Sequence, residues 1–76
     1  MKAVDIMVMS EESNLNGCEA AINATVDEIK SLANDRPEMI AASMGSYLNR
    51  LQLLLAKRDQ MVESLKMLKY LQKEEG

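Results

Sequence analysis

Residues 37–76 read PEMIAASMGSYLNRLQLLLAKRDQMVESLKMLKYLQKEEG, and this stretch decides the fold. After Pro37 it has no further proline, and Gly45 is its one glycine before Gly76. Ile40, Met44, Tyr47, Leu51, Leu54, Arg58, Met61, Leu65, Leu68 and Gln72 recur there at alternating spacings of four and three. A heptad sustained over that length predicts one long helix with a narrow apolar seam. About 37 residues at ~1.5 Å each give roughly 55 Å of helix, more than the rest of the chain is expected to cover. A helix that overhangs its own partner is open to another chain.

Upstream, Leu15, Cys18, Ile22, Thr25, Ile29 and Leu32 form a second heptad seam with Val26 beside it. This predicts helix 1 over about residues 14–33, with Ser13 or the Asn16/Glu19 pair as its N-cap. Asn34-Asp35-Arg36-Pro37-Glu38 breaks the pattern. Asp35 and Glu38 have the spacing of a second capping box, and Pro37 suits a first helical turn because its missing N–H costs nothing there. Helix 2 is then expected over about residues 36–73. The short link folds the two helices back on each other as an antiparallel hairpin. Residues 1–13 are expected to be an N-terminal arm, loosely ordered over 1–9. In that arm Val4, Ile6 and Val8 alternate like a strand, while Met1, Val4 and Val8 prolong a helical seam.

Composition narrows the class. Seventy-six residues make one small domain, and chains this short bury only ~60% of their unfolded surface and are marginal alone. Cys18 is the single cysteine and histidine is absent, so neither an internal disulfide nor a structural zinc site is expected. With no Phe or Trp and seven Met, the core must be aliphatic, which suits an all-α bundle. Stabilisation is therefore expected from a partner or from self-association.

Charge follows the hairpin. Residues 1–35 carry Lys2 and Lys30 against seven acids, a balance of −5, whereas residues 36–76 carry seven bases and five acids, a balance of +2. The overall charge is −3 and the pI near 4.8, which argues against nucleic acid as a partner. Lys66, Lys69 and Lys73 form a short basic ridge that complements the C-terminal helix dipole. No stretch reaches the ~18 apolar residues of a membrane span. The first nine residues are broken by Asp5 and lack a cleavage site, so they are not read as a signal peptide. An unpaired thiol without an export signal places the expectation in the cytoplasm.

Helix 2 bears more apolar surface than one seam. Leu48, Leu55 and Val62 widen it on one flank, and Leu53, Ala56, Met67 and Leu71 form a second row interrupted by Gln60 and Ser64. A helix apolar on two sides needs two neighbours, either a second copy in a four-helix bundle or another protein. Arg58 interrupts the main seam, either reaching past Leu54 and Leu55 to solvent or pairing with an acid of helix 1 or of a partner.

Chemistry is sparse. No carboxylate pair, phosphate loop or activated thiol is indicated, and Cys18 on an apolar seam reads as a small core residue. The expectation is a non-enzymatic protein without cofactor or metal.

The segment Met61-Val62-Glu63-Ser64-Leu65-Lys66-Met67-Leu68-Lys69-Tyr70-Leu71 resembles the closing helix of the YscE-like proteins, where an apolar-Glu-Ser segment leads into aliphatics and a late aromatic. The shared plan of shorter helix, polar link and longer helix covers about residues 14–73. Asp35-Arg36-Pro37 departs from the glycine-bearing link common in that family, and residues 1–9 have no clear counterpart. The resemblance implies a cytoplasmic bacterial co-chaperone that binds a tetratricopeptide-like chaperone, the pair keeping a type III secretion needle subunit unpolymerised. It implies contacts through Val62, Leu65, Leu68 and Tyr70 with their seam neighbours Leu51, Leu54 and Leu55; Met67 of the second apolar row joins them as a partner-facing residue. Two other classes stay open: a self-associating structural component of a secretion apparatus, and a Rop-like homodimeric RNA binder.

Overall fold

The computed structural model describes residues 2–75, which form two helices: α1 over Ala3–Asp35 and α2 over Pro37–Glu75. They pack on each other as a hairpin, and no strand occurs among the described residues. The molecule is a rod of 56 × 16 × 12 Å, two helices thick.

The link is a single residue. Arg36, at φ −142° and ψ 68°, leaves the helical region while its N–H still donates to the Leu32 carbonyl at 2.8 Å. The position follows from Pro37, whose ring disfavours helical backbone in the residue before it. The capping box expected at Asp35 and Glu38 is therefore corrected. Asp35 is the last residue of α1, where its Oδ2 accepts from the Ser31 hydroxyl at 3.3 Å, and the Arg36 carbonyl accepts from the Met39 N–H at 2.9 Å.

The larger correction is at the N-terminus. The expected arm is the first third of α1, which starts at Ala3 and runs unbroken through Ser13, Asn16 and Gly17, so none of these is a cap. Met1 lies outside the described residues. The reason is burial. Val4 and Val8 are 8% and 5% exposed, on the same face as Leu15 and Cys18. Covering two valines against α2 outweighs the turn preference of the polar stretch from Ser10 to Gly17. Helix 1 remains the shorter, with 33 residues against 39, yet it covers α2 along most of its length rather than half.

Every seam position expected on α2, from Ile40 through Leu51 and Leu65 to Gln72, is buried or half-buried. Register is uniform. Gln72 meets Asp5 near one end and Arg50 meets Glu28 nearer the turn. The step along α1 between those residues is matched within one residue by the step back along α2. The buried Thr25 hydroxyl is satisfied within α1, donating to the Ala21 carbonyl at 2.9 Å, and the Cys18 thiol donates across to the Leu54 carbonyl of α2 at 3.3 Å.

Candidate interaction surface

Two helices can shield each other on one side only. Val4, Val8, Cys18, Thr25 and Leu65 are buried, but none of the large side chains described is fully enclosed. Most of the exposed large hydrophobics fall on two flanks of the seam.

On the first flank, one position after the seam residues Tyr47, Leu54 and Met61, stand Leu48 at 49% exposure, Leu55 at 37% and the half-buried Val62. On the opposite flank a groove of about 580 Å³ opens where the N-terminal part of α1 lies beside the C-terminal part of α2. Ile6, Met7, Ser10 and Glu11 line it from α1, and Ser64, Met67, Leu68 and Leu71 from α2. Further toward the turn the same side carries the exposed Leu53, then the ion pair Glu28–Arg50 at 3.4 Å with both side chains about half exposed. The Arg50 guanidinium also lies over the Tyr47 ring, 5.8 Å from its centre.

The structure sorts the sequence-predicted contact residues by this geometry. Leu51, Leu54, Leu65 and Leu68 sit on the seam, where α1 covers them, and Val62 is half-buried beside it. Leu55, Met67 and Tyr70 are exposed, the last two at 68% and 63%. Outside that group lie Ile6, Met7 and Met9 of α1, each more than half exposed, because the first residues read as an arm rather than as helix. Seven-residue steps place Met7 in one row with Asn14, Ala21 and Glu28.

Arg58 shows how the seam tolerates a cation. Its side chain remains 40% exposed and its guanidinium turns to Asp59 on its own helix, with Nη2 at 3.1 Å from Oδ1. Of the two expectations for this residue, the geometry follows the reach to solvent.

Among the described residues no group of His, Cys, Asp or Glu is arranged to hold a metal ion. No described helix is long and apolar enough to cross a membrane. No protein family, curated protein or solved structure matches the chain.

Proposed function

We infer that this hairpin is a non-enzymatic interaction module whose working state is a complex with another helical chain. One observation carries the reading: the rod encloses no large side chain fully, while leucines and methionines stand exposed along both flanks of its seam. Exposed apolar surface of that continuity marks a contact site, since isolated apolar residues are ordinary but rows of them are not. In its most specific form the partner is a tetratricopeptide-like chaperone of a type III secretion needle subunit, the hairpin acting as co-chaperone in a bacterial cytoplasm. The YscE-like pattern of the last helix supports that form. A slender antiparallel hairpin also has the shape to lie along a concave helical-repeat surface.

The flank of Leu48 and Leu55 is the expected contact for such a partner. Co-expression with candidate chaperones tests it. A partner that binds only the folded hairpin raises its stability by about 2.7 kcal/mol at a hundredfold excess over Kd. Leu48→Glu with Leu55→Glu should abolish both co-purification and the rise in Tm. Equal recovery of the complex with that double variant would exclude this flank as the contact.

A further inference from the structure

We propose that the opposite flank, with the groove of Ile6, Met7, Met67 and Leu71 at its open end, is the contact between two copies of this chain. The copies lie face to face with their turns at the same end of the dimer. This goes beyond the reading above, because it uses the other side of the seam and a different occupant.

Size permits it. One face of the rod measures 56 by 16 Å, roughly 900 Å² of footprint, against the ~800 Å² per partner of a standard stable interface.

Charge selects the arrangement. Two rods placed face to face can be related by a two-fold axis along the rod or by one across it. An axis across the rod sets α1 on α1 and α2 on α2, like charge against like, because residues 1–35 carry −5 and residues 36–76 carry +2. An axis along the rod sets α1 of each copy on α2 of the other. A net acidic helix then faces a net basic one on both sides of the axis.

Level matching selects the same arrangement. With the axis along the rod, each residue meets groups from its own height in the hairpin, and the hairpin's register fixes those heights. Met67 and Leu71 of one copy meet Ile6 and Met7 of the other, apolar on apolar at the open ends. Leu53 lies three residues past Arg50, level with the part of α1 before Glu28, where Ala21 and Ala24 leave room for a large side chain. The exposed Glu28–Arg50 pairs of the two copies come to one height and alternate in sign around the axis. With the axis across the rod, the apolar groove would instead meet the end that holds Glu28, Asp35 and Arg36.

Sedimentation equilibrium should give twice the chain mass of 8.5 kDa at micromolar concentration. Met67→Glu with Leu71→Glu should weaken the dimer at least tenfold with helicity retained, since both side chains are exposed in the single hairpin. Leu48→Glu should leave the dimer intact. For orientation, Cys18→Ser removes the native thiol and Asn34→Cys takes a spin label near the turn. The two labels should lie within about 30 Å, given interaxial distances of 8–10 Å. A dimer with turns at opposite ends would put them nearer the rod length of 56 Å. A wild-type chain that stays monomeric, forms open fibres, dimerises through Leu48 or gives the long distance overturns the proposal. A monomer would leave this face to a different protein. Equal recovery of the complex with the Leu48 and Leu55 double variant would overturn the first reading and leave the dimer untouched, so the two readings fail separately.

Discussion

The side-chain amide of Gln72 donates to Oδ1 of Asp5 at 2.6 Å, joining two residues near opposite ends of the sequence. It is a partly buried bond between elements and it closes the open end of the hairpin, where fraying would begin. Beside it lie Val4 and Val8, so the same contact shields the apolar layer that turns the first residues into helix.

Gln72→Ala should therefore loosen that end without unfolding the rod. The expected loss is about 1 kcal/mol, the net worth of one hydrogen bond, with some addition because the acceptor is a carboxylate. Amide exchange should accelerate at residues 4–9 and 66–73 and stay unchanged near the turn. Uniform acceleration along both helices would show that the bond holds the whole hairpin rather than its end.

Removing residues 1–9 distinguishes a helix from a loose arm. An arm could be deleted at no cost, whereas loss of Val4 and Val8 uncovers the apolar residues of α2 at the same level. Val8→Ala alone should cost about 1.5 kcal/mol, at ~0.8 kcal/mol per buried methylene. For a chain of this size that corresponds to a fall in Tm of roughly 6–12 °C. Full stability of the truncated chain would return the segment to an arm.

Gly17 and Gly45 sit in helix interiors with negative φ, and a Cβ built on either meets nothing within 4 Å. Alanine at each site should stabilise the single hairpin by about 0.5–1 kcal/mol, the ordinary difference in helical propensity. Thermal melts of Gly17→Ala and Gly45→Ala provide the measurement. A lower Tm for either would reveal a close approach that the hairpin itself does not contain.

Arg58→Leu should raise stability. The native guanidinium reaches past the seam to Asp59, an exposed pair of the kind worth only ~0–1 kcal/mol. A leucine would instead extend the apolar row between Leu54 and Met61. The gain should be about 1 kcal/mol, given the partial exposure of the site. A destabilised variant would indicate that the charge at this position holds the register of the two helices.

The heptad of α2 was legible in the sequence because local spacing alone sets a helical seam, and each of its expected positions is covered in the fold. The break before Pro37 was legible too, since a proline restricts its neighbour whatever surrounds it. Caps were not. Ser13, Asn16, Asp35 and Glu38 carry good capping chemistry, but a cap forms only where the helix ends.

Where α1 begins was decided by tertiary structure. Ser10 to Gly17 has the composition of a turn, and only the cover that α2 gives to Val4 and Val8 makes helix the better state there. The same long-range fact separated the contact candidates. Leu51, Leu54, Leu65 and Leu68 are chemically equivalent to Leu48, Leu53, Leu55 and Leu71, and the first group is covered because it faces α1. Sequence thus determined that the chain is helical, where it turns and which residues share a stripe, all consequences of local backbone preference and period. Which stripe is spent inside the hairpin and which stays exposed depends on the direction of approach of α1, a relation between residues distant in sequence that no local pattern contains.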